Sequence, residues 1–356
     1  MTIYVSFSVF VVFLFFVMMY LPALSGKKWS RNSPVTVYVI YLYLVVASVF
    51  SPLGGDKMRY IEAFHDAPII EYVKDFGWTF LTKVLNVLCF DNENLYLSVI
   101  AFLYVLGYYL IGKCRLDKRY LAYFLLLSAG CLGFWSGSTN IMRAGLATSL
   151  FLMSLCSEKK IVYVVFVILA FEVHNSILIL VGGYFLTKYC RNYNVYLIVW
   201  IVFLALSSVN ALGVITSFLS AHMGDVGDRI AEYAYSSDAD VAELYKNAGF
   251  RLDFIAYSAL AIIYSRWLIV KRGYKDEFFE RISCTYIIAN CFWLTMIRVF
   301  YADRFALLSW SLIPLIILYP YMNKENRLPF EKRVVFVAFL PVLVNLAVTL
   351  KDMSKM

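Results

Sequence analysis

Residues 94–112 read NLYLSVIAFLYVLGYYLIG, and KCRLDKR follows at once over 113–119. An uninterrupted apolar run of this length matches a hydrocarbon layer about 30 Å thick, which takes about 20 helical residues to cross. The cluster of Lys113, Arg115, Lys118 and Arg119 is the cationic flank such a run carries on the side where it stops. The rest of the chain repeats this alternation. Runs of the same kind occur at roughly 3–24, 35–51, 120–136, 140–157, 161–173, 175–187, 195–219, 252–270, 282–300, 304–320 and 334–350. Those at 161–173 and 175–187 are short for a span. Residues 78–90, WTFLTKVLNVLCF, are too short to span, and Lys83 and Asn86 suit a helix lying in the interface. The fold expected is an all-α polytopic integral membrane protein of about twelve transmembrane helices.

Composition agrees. The chain is 62% hydrophobic and 16% charged with a mean hydropathy of +0.72, against about 45–50% and about 25% for soluble domains. Aromatic residues make up 18%, in keeping with rings that sit at headgroup level. The net charge of +8 is not a nucleic-acid signal, because the basic residues fall in short clusters on alternate loops. Nineteen Lys and Arg lie in one set of loops, around residues 27–31, 113–119, 159–160, 188–191, 271–281 and 324–333. Seven lie in the alternate loops and the C-terminal tail. The positive-inside rule puts the richer set in the cytoplasm and both termini outside. The first run lacks a basic leading region and is too long for a signal peptide, so it reads as a helix. The whole of 1–356 reads as a single transmembrane domain, with the outer loops 52–93 and 220–250 as its cover. The seven cysteines show no metal-ligand spacing and read as small hydrophobes, and no metal or cofactor is expected.

On this topology the ionisable residues in or beside the spans gather on the outer side. Arg143 stands about one turn into its helix in STNIMRAGLATS. Glu172 and His174 sit on the hairpin FEVHNS, Arg251 and Asp253 in GFRLDF, and Arg298, Asp303 and Arg304 around MIRVFYADRF. Asp56 and Arg59 belong to the first outer loop, in GGDKMRY. A charge in a membrane is costly and marks a functional candidate, although a single Arg near a helix end also serves simply by reaching the headgroups. Arg presents a rigid fork of donors suited to phosphate, so several at one depth suit a lipid pyrophosphate, and equally ordinary anionic headgroups. His174 is a candidate general base for a sugar hydroxyl; Asp303, Asp56 and Glu172 are its rivals. No phosphate-binding loop, HExxH or GxSxG is present.

Several segments in order resemble those of the EpsG-like polysaccharide polymerases, within the broader Wzy O-antigen and capsule polymerase group. They are GGDKMRYIEAF then DFGWTFLTKVLN, the helix start NIMRAGLA, the short pair opening HNSILIL, and ADRFALLSW. The chain reads RAGLA where the family has an RQGLA-type start, so Ala144 replaces a polar side chain. The resemblance implies a GT-C-like membrane glycosyltransferase of the bacterial inner membrane. Its substrates would be undecaprenyl-pyrophosphate-linked oligosaccharides, joined on the periplasmic side without a nucleotide sugar, and a chain-length regulator protein is a candidate partner beside membrane lipids. Arg143, Arg251 and Arg304, with Arg298 in support, would hold the pyrophosphate; His174 or Asp303 would take the acceptor proton; Arg59, Asp56 and Asn140 would bind substrate. A lipid-linked oligosaccharide flippase and an O-antigen ligase are the rival readings, and the flippase is disfavoured by the near absence of charge in the inner halves of the helices.

Overall fold

A computed structural model describes residues 2–20, 32–51, 55–67, 75–212, 250–299 and 302–353. It is helical throughout, with no strand among the described residues. This is the outcome hydrocarbon imposes, since a helix satisfies its backbone N–H and C=O groups within itself. In chain order, α1 is Thr2–Phe15, α2 Pro34–Val49, α3 Gly55–His65, α4 Phe76–Leu88 and α5 Glu93–Arg115. Next come α6 (Leu121–Gly130), α7 (Phe134–Thr139), α8 (Met142–Ser154), α9 (Lys160–Val173) and α10 (Leu178–Leu186). The chain continues as α11 (Tyr193–Ser208), α12 (Leu252–Arg266), α13 (Glu277–Met296), α14 (Asp303–Trp310), α15 (Ile313–Met322) and α16 (Lys332–Met353).

Four stretches are long and apolar enough to cross a membrane by length and composition: Glu93–Arg115, Leu252–Lys271, Arg304–Met322 and Lys332–Leu350. Of the other segments read as spans, 282–300 falls largely in the 20-residue Glu277–Met296 and the rest hold shorter helices, and the protein is an all-α membrane protein. The expected span 120–136 is two helices, α6 and α7, because Gly133 turns the chain at φ 82°. The expected cover over 220–250 lies outside the described residues except for Phe250, as does residue 213 onward of the run 195–219.

Within the transmembrane chain, contacts separate two compact units, one of Met1–Val181 with Ser311–Met356 and the other of Gly182–Trp310. In the first, α8 packs between α5 and α9, and α6 packs against α1, α2, α5, α15 and α16. Ser149 fastens the α5–α8 crossing, its hydroxyl donating 2.9 Å bonds to the carbonyls of Leu103 and Tyr104. A hydroxyl bonded to a neighbouring helix is how polar side chains are accommodated where no water competes. At the basic end of this unit, Lys324 Nζ donates to Lys113 O at 3.0 Å and Cys114 O at 2.7 Å, closing the C-terminus of α5. Nearby, Asp117 is gripped by Arg119 and its carboxyl is held below the usual carboxylate range mainly by that hydrogen bond.

The second unit is threaded by buried polar pairs. Trp200 donates to Asn290 at 2.7 Å, Asn290 meets Ser309 at 3.2 Å, and Trp310 donates to Ser258 at 2.8 Å. All seven cysteines are free thiols.

Among the described residues, Lys57 is the most deeply buried cation, at 1% exposure. Its ammonium donates to Val49 O at 2.7 Å, Ser51 O at 2.9 Å and the Ser51 hydroxyl at 3.1 Å, just past the C-terminus of α2. A cation there satisfies carbonyls that the helix leaves over and lies at the negative end of its dipole. Burial pulls the Lys57 ammonium down to about 8, against the opposing pull of Glu93. We predict that Lys57→Met destabilises the protein by about 1–3 kcal/mol, because buried acceptors lose their donor. A lower unfolding midpoint in detergent is the expected result, and an unchanged one would contradict the capping role.

Candidate functional site

The first unit gathers one cluster of ionisable side chains from three separated segments. Arg143, the second residue of α8, places Nη1 2.6 Å from Oδ2 of Asp75. His174, where α9 ends, has Nδ1 3.5 Å from the same oxygen. The Asp75 side chain is 4% exposed, those of His174 and Arg143 21% and 31%. A buried carboxylate thus faces two half-exposed nitrogen bases, one of them permanently charged. Such a carboxylate is tolerated in a low-dielectric setting only when paired in this way.

Local sequence explains how the three meet. Asp75 precedes α4 with φ 49°, a left-handed conformation that Asp accepts more readily than most residues. Its backbone carbonyl accepts from Thr79 N at 3.0 Å, yet its side chain does not cap α4. An Asp in that position ordinarily bonds its own helix N-terminus; here the carboxylate is directed to Arg143 instead. Two residues on, Gly77 rests on the end of α9. A Cβ at Gly77 would lie 2.6 Å from Glu172 Cβ and 2.9 Å from its carbonyl carbon, so only glycine permits this approach. Because Glu172 is two residues before His174, the same close contact brings Asp75 to the imidazole.

Aromatic rings form one wall. The Tyr60 ring of α3 lies 6.0 Å from the Arg143 guanidinium carbon, and packs edge-on against Trp78 of α4 at 5.5 Å. Tyr60 is half-buried and Trp78 buried. A face of that kind, beside a guanidinium, can stack on a sugar ring.

The other expected residues are distributed as follows. Arg59 is 81% exposed and only 3.8 Å from Asp56 of its own helix. Asn140 is exposed at the end of α7, its contact being with Thr139 at 3.4 Å. In the second unit, Arg251 is bound in two-pronged fashion by Asp253, at 2.8 and 2.6 Å, and lies 3.9 Å over the Phe254 ring. Arg298 donates to Ser207 O at 3.3 Å and Ser208 O at 2.9 Å, closing the end of α11. Both cations are therefore bonded within the second unit, Arg251 to its own helix start and Arg298 across to the end of α11. Arg304 is half-buried on α14, and Asp303 opens that helix with a side chain outside the described ones. Among the described residues no group of three His, Cys, Asp or Glu is placed to hold a metal ion.

Asp75 and Tyr60 are the residues that sequence reasoning did not single out. Both stand inside the quoted segments.

The sequence profile of the EpsG family matches residues 34–355, nearly the full chain. The chain belongs to the EpsG family. The match takes in every segment of the cluster, from Tyr60 to His174, and carries the coarse statement that this is a membrane protein of a polysaccharide-polymerase-like kind. No curated protein and no solved structure matches the chain.

The geometry makes Asp75 and Arg143 energetically interdependent. In a double-mutant cycle, Asp75→Ala and Arg143→Ala should be non-additive in unfolding free energy by about 0.5–3 kcal/mol. Strict additivity in detergent-solubilised protein would show that the pair is not coupled.

Proposed function

We propose that this protein is a glycan polymerase that joins repeat units carried on undecaprenyl pyrophosphate, at the outer face of the bacterial inner membrane. The observation that carries the reading is the Asp75–Arg143–His174 cluster, within a chain that matches the EpsG family over 34–355. The outward placement follows from the surplus of Lys and Arg in the opposite set of loops.

In this reaction a hydroxyl of the acceptor unit attacks the anomeric carbon of the donor glycan. A new C–O bond forms, the C–O bond to the pyrophosphate breaks, and the pyrophosphate leaves with the electron pair. The acceptor proton goes to His174, whose Nδ1 faces the buried Asp75 carboxylate. A carboxylate at that distance favours one orientation of the ring and offsets the charge that the imidazole gains. Arg143 spends one edge of its fork on Asp75 and holds the pyrophosphate with the rest, stabilising the negative charge that grows on it. Tyr60 offers the ring face against which a sugar is aligned.

In this reading the pyrophosphate goes to Arg143, which stands beside His174 and Tyr60, while Arg251 stays bonded to Asp253 and Arg298 to the end of α11.

The test is glycan chain length in a strain lacking the protein, read as a banding ladder and complemented with variants. Compared at matched amounts of folded protein in the membrane, Arg143→Ala, His174→Ala and Asp75→Asn should each leave a single repeat unit, a fall in chain extension of about 10²-fold or more. Normal ladders from all three would overturn the mechanism. Loss of every surface repeat with lipid-linked units accumulating inside would instead identify a flippase.

A further inference from the structure

The exposed positions of α4 are, without exception, apolar, and so is Phe90 in the turn after it, next to the exposed Asp91. They are Phe76 at 57%, Phe80 at 52%, Val84 at 37%, Val87 at 73%, Leu88 at 63% and Phe90 at 88% exposure. Up to Leu88 their spacing is three, four and one, which gathers them on one side of a helix. The opposite side, with Trp78, Thr82 and Leu85, is buried against the protein. Both ends of α4 are tied down by polar bonds. Asp75 is held by Arg143 at the start, and at the end Asn86 donates to Phe64 O at 2.9 Å and Asp91 at 3.0 Å. The helix cannot turn its apolar side inward.

We propose that the occupant of this face is the bilayer itself. In this arrangement α4 lies in the plane of the headgroup–acyl boundary with its six apolar side chains in hydrocarbon. Length favours this over crossing, since its thirteen residues extend about 20 Å, short of the hydrocarbon thickness. Continuity favours lipid over a protein partner. α4 packs on α9 through Gly77 and Glu172, and α9 carries its own exposed apolar stripe of Val164, Val165, Ile168 and Leu169. A stripe on a membrane helix and a face on the helix resting on it meet a single lipid environment.

Phe90 supplies an independent pointer. It adopts φ 52°, a conformation unfavourable for a bulky side chain, and its ring is the most exposed of the six. In lipid a ring so exposed gains apolar burial that water does not give.

The consequence is positional. Asp75 is the residue immediately before α4, so the depth at which the membrane holds this helix is the depth of the Asp75 carboxylate, and with it of Arg143 and His174. That places the cluster at headgroup level, where a lipid-borne pyrophosphate also lies. The surface assignment does not depend on the proposed reaction.

The test uses nitroxide labels at Phe80→Cys, Val84→Cys and Val87→Cys, one at a time, in full-length protein with its native cysteines replaced and its unfolding midpoint retained. An Arg59→Cys label on α3, at a side chain 81% exposed beside Asp56, is the aqueous control. In liposomes the three α4 labels should be more accessible to oxygen than to a water-soluble nickel chelate, with the order reversed at 59. Nickel access at α4 equal to that at 59 would place the face in water. Low access to both reagents at all three positions would mean that protein, such as a second copy of this chain, covers it. Either result overturns the proposal, and neither bears on whether the protein polymerises glycan.

Discussion

Hydrocarbon offers no hydrogen bonds, and the whole architecture answers to that shortage. The described backbone is mostly helical, and many of the polar side chains that enter it find partners on neighbouring helices. Ser149 spans two helices, Asn290 joins Trp200 to Ser309, and Lys57 finishes α2 with an ammonium. The same shortage decides where chemistry can sit. A carboxylate such as Asp75 persists in this setting because Arg143 pairs with it and His174 stands beside it.

That pairing gives Arg143 two calls on one side chain. Its guanidinium stabilises a buried acid in the resting protein and, in the reaction proposed, a departing pyrophosphate. The planar fork permits both, since a carboxylate occupies one edge and leaves further donors. A lysine at 143 would offer a single point charge to the two and would not be equivalent. Gly77 has a comparable economy. By omitting a side chain it lets α4 rest on α9, and this one contact aligns an acid from one segment with a base from another.

The helical membrane class was legible because hydropathy registers the solvent directly, and the run 94–112 with its cationic flank appears as the helix Glu93–Arg115. The segment 78–90, read as too short to span, lies mostly in the thirteen-residue helix α4. The break within 120–136 was not legible, since a glycine in an apolar run does not announce a positive φ. Arg143 and His174 stood out as charges in apolar surroundings, and the fold does bring them together. Asp75 did not stand out, because its importance lies in a long-range pairing across 68 residues that no local pattern encodes. Arg251 and Arg298 looked equivalent to Arg143 in sequence; the structure pairs Arg251 with Asp253 two residues on and Arg298 with carbonyls at the end of α11, about 90 residues away.

The account turns on whether the Asp75 cluster lengthens a lipid-linked glycan. The most direct measurement is mass spectrometry of products formed by purified protein in liposomes supplied with one defined lipid-linked repeat unit and no nucleotide sugar. The account predicts carriers bearing two and more units, with one undecaprenyl pyrophosphate released per joining event, and neither product from Asp75→Asn protein of unchanged unfolding midpoint. Unaltered single units in the presence of folded wild-type protein, or equal lengthening by Asp75→Asn, would contradict it.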